Sequence, residues 1–553
     1  MVFKNFAKPK KYKMEMIAAA AVLSILCCLL LVRPIIGVAD NGDFARIMNS
    51  TGLHFLTDEP AERYFGFVNR QYGTGYVIPL GGGYLSTQIP LVLLAIYLSK
   101  SVLEKSLFDI RFLAMIYILV LTVSAFFTVR SIRKKHNFLG LIAAFVIILI
   151  FCDTGYSSYF NSLYGEPVTL VFLLLMTAMA ITIALEEKPA VWMLALFCTG
   201  ALFFAGGKVQ NSPAGLLAAL VCTRLAGFKS DFPGKEKRKR LMAEVPGKTP
   251  APEINGAEAS KVFEIVPVAE TGEISANGVI VPMSEVSADG LKGKAWKRIS
   301  IGAALLVSMV SLGCYFSVSR EIKVCNKYQT VFYGILKDSP DPAGDLGELG
   351  LDPSLAVLAG TNYFIKQYPI DIKDPVFKEM LYEKVSHFKV TGFYLKHPQR
   401  FLQKLESAAE HGFQLKQGFG NYEKFDGIQY KQTSNVFGLW SDFKMDVLPH
   451  TLSFVVIFFT IVMLVLLYEY KRASGLKIRF FIEFLGFITL TGIIQFVLPV
   501  IGDGDADLSK HLYLFNVCFD LLFAAGIVYI TQKAAEAVKS IRNRRPETRL
   551  QTD

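Results

Sequence analysis

The chain has 553 residues, 52% of them hydrophobic, with a formal charge of +11 and a mean hydropathy of +0.39. That apolar share exceeds what a soluble surface carries, and it comes in blocks of roughly 20 residues, the length of a helix crossing the hydrocarbon core. The blocks lack the alternation of barrel strands, so the expected class is an all-α polytopic membrane protein; the positive charge gathers beside the ends of alternate blocks, which reads as topology and not as nucleic-acid binding.

Lys4, Lys8, Lys10, Lys11 and Lys13 precede the first apolar run, 16–32. A secretory signal cleaved near Gly37-Val38-Ala39 is the alternative, but the run is long for one and an acidic cluster follows it, so it is read as a first span leading outward. The next block, 89–102, is short and is followed by Lys105. Were it a span, Arg130, Arg133, Lys134 and Lys135 would fall outside, so 89–103 is expected to lie at the outer interface. About ten spans follow from this choice: 16–32, 110–129, 138–152, 168–185, 190–206, 213–228, 299–318, 450–469, 479–500 and 511–531.

The resulting domains are an N-terminal transmembrane catalytic module (1–228) with a first outer loop (39–109), a flexible cytoplasmic loop (229–298), one span (299–318), an extracytoplasmic and mainly helical domain (319–448), and C-terminal helices with a basic cytoplasmic tail (449–553). Both termini are expected in the cytoplasm of a multi-pass plasma-membrane protein. Within the cytoplasmic loop, 279–282 suits a short hairpin. In the outer domain, Asp374-Pro375 and His397-Pro398 read as helix starts. Most of the eight cysteines lie within apolar blocks, and none has metal-ligand spacing beyond the adjacent Cys27 and Cys28, which read as packing residues.

Four constellations could carry chemistry, all at expected outer span ends. Asp40-Asn41-Gly42-Asp43 with Arg46 places two carboxylates three residues apart, with an arginine three further on. Burial raises a carboxylate pKa and an arginine lowers it, so either acid could be tuned as a general base; alternatively both cap the next helix and pair with Arg46. Asp153, Tyr156, Tyr159, Asn161, Tyr164 and Glu166-Pro167 form the second set; Asp153 reads as a cap, and the tyrosines suit an aromatic belt. Gly206-Gly207-Lys208 with Gln210 and Asn211 suits an anion at the membrane plane, or a turn with a snorkelling lysine. Asp503-Gly504-Asp505-Ala506-Asp507 superficially resembles a calcium loop but lacks its closing glutamate, and Lys510-His511 beyond it suits a lipid phosphate. No nucleotide-binding, nucleophile-elbow or zinc-protease motif is present, and no cofactor or metal site is read. An outer site has no nucleotide sugar, so any group transferred there arrives on a preactivated carrier such as a lipid phosphate.

In this arrangement the chain resembles the glycosyltransferase-C fold of membrane enzymes that use polyprenyl-phosphate sugars, best over about 15–230. Asp40 and Asp43 stand where that family keeps an acid after its first span; 87–91 matches its interfacial helix, and Arg111 matches an arginine opening its second span. Asn41-Gly42-Asp43-Phe44, Tyr164-Gly165-Glu166-Pro167, the stretch from Tyr394 to His397-Pro398, and Lys510-His511-Leu512 are similar to bacterial hexosyltransferases of S-layer and surface-glycan assembly. The WWD-type signature of the oligosaccharyltransferase branch is absent, so metal dependence is not carried over. The resemblance implies an inverting displacement. Asp43, with Asp40 as alternative, would take a proton from the glycan acceptor; Arg46, Arg111, Lys208, Lys510 and His511 would hold the donor phosphate; Asn41, Tyr164, Glu166 and Gln210 would line the substrate. The expected partners are membrane lipid, the lipid-linked sugar and a glycan acceptor. A lipid-glycan flippase or a non-catalytic assembly protein is the rival reading; the first calls for charges deep within spans.

Overall fold

The computed structural model describes residues 13–78, 83–231, 272–274 and 280–544. Apolar helices stand at all ten expected places. In the first half they are α1 (Lys13–Leu31), then, after the short α2 (Ala45–Thr51) and α3 (Gln88–Lys100), α4 (Arg111–Arg133), α5 (Asn137–Phe151), α6 (Glu166–Leu185), α7 (Val191–Gly206) and α8 (Ser212–Leu225). The second half continues with α9 (Met283–Phe316), then α10 (Pro375–Lys384), α11 (His387–Lys396), α12 (Pro398–Gly412) and α13 (Leu439–Asp446), and ends with α14 (Leu452–Arg472), α15 (Leu476–Gly502) and α16 (Tyr513–Arg544). The chain is an essentially all-α, multi-pass membrane protein.

The expected count of about ten spans compares with seven to eight by length and apolarity among the described residues. Among the described residues seven helices are long and apolar enough to cross a membrane, and an eighth is gained if α5 and its continuation to Asn161, bent by 54°, form one span. At about 1.5 Å per residue, α7 with 16 residues and α8 with 14 fall short of the ~30 Å hydrocarbon core. Both are cut short by the same polar turn, where Gly207 to Asn211 interrupts the apolar sequence and Pro213 opens the next helix. The 13 residues of α3 reach only about 20 Å, as the interfacial reading of 89–103 requires.

α6 is the central helix. Its apolar window is 83% buried, against α4, α7, α15 and α16, whereas that of α14 is only 11% buried and so faces outward along its length. α8 packs on α9, and α1 on α4. At the end of the bundle opposite the 40–46 turn, Glu15 meets Arg133 at 2.7 Å and Arg224 meets Glu483 at 2.7 Å, so charged groups there close on one another across helices.

α9 begins at Met283, well before 299, so the last part of the proposed flexible loop is helix. A hairpin does form there, pairing Gly272–Ile274 with Ile280–Pro282; residues 232–271 and 275–279 lie outside the described residues. In the 319–448 segment the caps fall where the sequence puts them: the Asp374 carboxylate accepts from the Val376 N–H with Pro375 in the first turn, and α12 opens at Pro398.

The first inter-helix loop carries a small antiparallel sheet, β1 (Leu53–His54), β2 (Gln71–Thr74) and β3 (Leu107–Asp109), in that order, with Leu53 opposite Thr74 and Tyr72 opposite Phe108. The stretch leading from α1 to the first acidic cluster is gripped from the far end of the chain. Gly37 N–H donates to Asn421 O at 2.8 Å and Ala39 N–H to Gly420 O at 3.0 Å. Gly420 has φ +108°, and a Cβ there would sit 2.2 Å from Gly66 O, so only glycine lets the two segments approach.

Candidate functional site

The turn 40–44 is built by Asp40. Its Oδ1 accepts the Gly42 N–H at 2.8 Å and the Phe44 N–H at 3.1 Å, and Gly42 takes φ +105°. Tyr164 fixes the same turn from α6's side, donating its hydroxyl to Ala39 O at 3.0 Å and accepting the Asn41 N–H at 2.9 Å. Asp40 is 1% exposed, and its Oδ2 has no hydrogen-bond partner among the described residues. Burial pushes its carboxyl up to about 7, with the Phe44 and Gly42 N–H groups pulling partly the other way.

Asp43 differs in both access and charge. Its side chain is 22% exposed, and each oxygen holds a cation: Oδ1 meets Arg46 Nη2 at 2.9 Å, and Oδ2 meets Lys510 Nζ at 2.5 Å. Burial alone would raise this carboxyl, but the Arg46 and Lys510 charges outweigh it and hold the group well below the usual carboxylate range. Lys510 is the mirror case: burial would lower its ammonium, and Asp43 pulls it above its ordinary value.

Lys510 comes from the segment between α15 and α16. That segment is anchored by its aspartates, and each of them is occupied. Asp503 meets His511 Nε2 at 2.9 Å, Asp505 meets Lys337 and Lys404 at 3.0 Å each, and Asp507 accepts from Asn41 Nδ2 at 3.0 Å and lies 3.5 Å from Lys510. The alternating acids that resemble a calcium loop therefore face cations. Gly504, at φ +62°, lies against Gly334, where a Cβ would come within 2.7 Å of the Gly334 Cα. Backbone contact thus clamps the segment to the 319–448 region.

The second wall comes from α6 and the α7–α8 turn. Lys208 Nζ meets Glu166 Oε1 at 2.6 Å, and Gln210 Nε2 donates to His511 O at 2.8 Å. Glu166 Oε2 and the Tyr513 hydroxyl are buried and have no hydrogen-bond partner among the described residues. Both residues line a cavity of ≈ 10 Å³ together with Lys208, Gln210, Lys510 and His511, room for about one water molecule. Asp43, Arg46, Lys208, Lys510, His511, Asn41, Tyr164, Glu166 and Gln210 are thus brought into one network, with Asp40 beneath it.

Arg111 is not in that network. Asp109, two residues earlier, takes its guanidinium in two bonds of 3.0 and 2.8 Å, and Arg111 Nη1 donates to Leu31 O. Asp109 also holds Arg70 at 2.8 Å, and Glu423 joins Arg70 to Arg33. Arg111 thus belongs to a separate ion-pair chain that ties α1, β3 and α4 together. The tyrosines are no aromatic belt either: Tyr156, Tyr159 and Tyr164 are all buried, because α5's bent continuation packs inside the bundle. Asp153 is a cap, accepting from Gly155 N–H, but its second oxygen also takes the Trp440 and Ser441 N–H groups and so docks α13.

Sequence reasoning missed Tyr513 as a neighbour of the cluster, and Tyr84, whose ring centre lies 6.0 Å from the Arg46 guanidinium. It also missed a fully buried set in which Asp520 meets Lys444, the Tyr156 hydroxyl and Trp440 Nε1. Asp520 lies inside the apolar run of α16, and an acid in that position was the available signal. Among the described residues no group of three or more His, Cys, Asp or Glu is placed to hold a metal ion.

A family model described as the YfdI N-terminal transmembrane domain matches residues 2–245 and 278–550, nearly the whole chain. No curated protein and no solved structure matches it.

Proposed function

The chain belongs to the YfdI N-terminal transmembrane domain family, and from that premise we propose that it is an inverting glycosyltransferase of glycosyltransferase-C type. It moves a sugar from a polyprenyl-phosphate carrier to a glycan or other cell-surface acceptor on the extracytoplasmic side. The observation that carries this reading is Asp43: a solvent-reachable carboxylate set among Arg46, Lys510 and Lys208 where several helices of a membrane bundle end. The side follows from charge, since Arg130, Arg133, Lys134 and Lys135 lie at the opposite end of α4.

In this reading Asp43 accepts the proton of the acceptor hydroxyl while that oxygen bonds to the anomeric carbon. The bond from the anomeric carbon to the phosphate oxygen breaks, and its electron pair leaves with the polyprenyl phosphate. Lys510, Arg46 and Lys208 offset the charge that develops there. Asp40 is the positioning residue: it is sealed from solvent and spends Oδ1 on the two N–H groups that shape the turn presenting Asp43. General-base catalysis supplies about 10²–10⁴-fold; charge stabilisation and placement supply the rest.

The test is a membrane-vesicle assay with a polyprenyl-phosphate hexose and a glycan acceptor. The expected result is stoichiometric release of polyprenyl phosphate, lost in Asp43→Asn. Movement of the lipid-linked sugar across the bilayer without its consumption would overturn the reading.

A further inference from the structure

We infer that Asp43 is held unreactive by Lys510 and Arg46 until the phosphate of a lipid donor draws those cations away, so that donor binding arms the carboxylate and must precede acceptor attack. This rests on the glycosyl-transfer reading above and adds an order and a trigger to it.

The geometry carries the inference. Both oxygens of Asp43 are engaged, at 2.9 Å by Arg46 and at 2.5 Å by Lys510. A carboxylate in that state has little capacity to accept a proton. The cations are equally committed: Lys208 to Glu166, His511 to Asp503, and Lys510 also to Asp507. Three permanent cations, Arg46, Lys208 and Lys510, stand against three acids, Asp43, Glu166 and Asp507, with the buried Asp40 beneath the turn and Asn41, Tyr84, Tyr164, Gln210 and His511 among the other polar neighbours. A phosphate entering this cluster therefore finds Arg46, Lys208 and Lys510 already paired and has to exchange for a carboxylate already there.

Space says the same. The cavity beside Lys510 holds about one water, so a phosphate enters only if side chains part. Lys510 can leave Asp43 for a phosphate without leaving the site, because it already lines the cavity and Asp43 is the more exposed partner of the pair. There, Glu166 Oε2 and the Tyr513 hydroxyl lack partners. The tyrosine hydroxyl is a donor suited to a phosphate oxygen, and the glutamate oxygen is an acceptor suited to a sugar hydroxyl. Once Lys510 and Arg46 turn to the phosphate, Asp43 regains basicity. It takes the acceptor proton as the new glycosidic bond forms, and the departing phosphate keeps the two cations.

The experiment uses the full chain in lipid nanodiscs and follows the Asp43 carboxylate by infrared difference spectra between wild type and Asp43→Asn, with binding of radiolabelled lipid measured in parallel. The probe is polyprenyl phosphate, with phosphate-free polyprenol as control. Without lipid, Asp43 should stay ionised well into the acid range. Saturating polyprenyl phosphate should move its titration upward by about one pH unit or more, and polyprenol should leave it in place. In Lys510→Met the midpoint should already be raised before lipid is added. Polyprenyl phosphate that binds without moving the Asp43 titration, or polyprenol that moves it equally, overturns the exchange while leaving glycosyl transfer standing. Absence of saturable polyprenyl-phosphate binding overturns the glycosyl-transfer reading itself.

Discussion

Lys444 Nζ and Asp520 Oδ1 meet at 2.9 Å with both side chains wholly excluded from solvent, joining α13 to a point about two turns into α16. Asn516 accepts from the same ammonium at 2.6 Å, and Tyr156 and Trp440 donate to Asp520, so every charge in the set is answered. Removing one partner strands the other. Lys444→Met or Asp520→Leu should each cost about 3–5 kcal/mol, whereas the double substitution should recover much of the loss. Thermal unfolding in detergent checks this; single variants as stable as wild type would show that water or another group reaches the stranded charge.

Asp40 makes stability depend on pH in a stated direction. Its folded carboxyl lies near 7, raised by burial, against about 3.9 in an unfolded chain. The folded state therefore binds the proton more tightly than the unfolded state between those values. The stabilisation is complete below about pH 4 and is lost as pH rises through 7. Asp40→Asn keeps an acceptor for the Gly42 and Phe44 N–H groups but cannot ionise. Its unfolding temperature should match wild type at pH 4 and exceed it at pH 8; parallel curves across that range would refute the assignment.

For the proposed reaction, Asp43→Asn should lower turnover by roughly 10²-fold or more, because the amide cannot take the proton. Its affinity for polyprenyl phosphate should hold or tighten, since Lys510 and Arg46 lose a competing anion. Equilibrium binding and steady-state kinetics separate these two effects. Weaker lipid binding in this variant would contradict the role given to the cations.

Lys208→Ala should raise the KM for the lipid-linked sugar more than that for the acceptor. Glu166 loses the cation paired with it in that variant, so Lys208→Arg serves as the conservative rescue. Equal changes in both KM values, unrescued by arginine, would indicate general disruption of the α6–α8 wall.

Topology is testable by single-cysteine labelling in intact cells. Cysteine at Lys105, just after α3, should react with an impermeant reagent from outside, and cysteine at Lys135, just after α4, only after permeabilisation. The opposite pattern would invert the protein and place the Asp43 cluster in the cytoplasm.

Helices and their ends were legible because their causes are local: apolar runs of sufficient length, Asp374 before Pro375, His397 before Pro398. So was the presence of acids and cations at one set of helix ends. Pairing was not. Asp43 and Lys510 lie 467 residues apart, and Lys444 and Asp520 come from segments that looked unrelated, so only the folded bundle brings them together. Arg111 was misplaced although its partner, Asp109, stands two residues away; the resemblance to a family arginine outweighed an adjacent carboxylate. The shortness of α7 and α8 was not legible, because hydropathy registers apolarity before length, and the polar turn between them falls within the same window.

The span between Asp43 and Lys510 also governs when the protein can first act. A ribosome that has inserted α1 to α14 has produced the 40–46 turn, but not the residue that closes on it. Until α15 and the segment after it emerge, Asp43 has Arg46 and no Lys510, and the cavity beside Glu166 lacks a wall. On the proposed reading, a partly synthesised or C-terminally truncated chain is inert toward lipid-linked sugar, and catalytic competence arrives with the final stretch of translation.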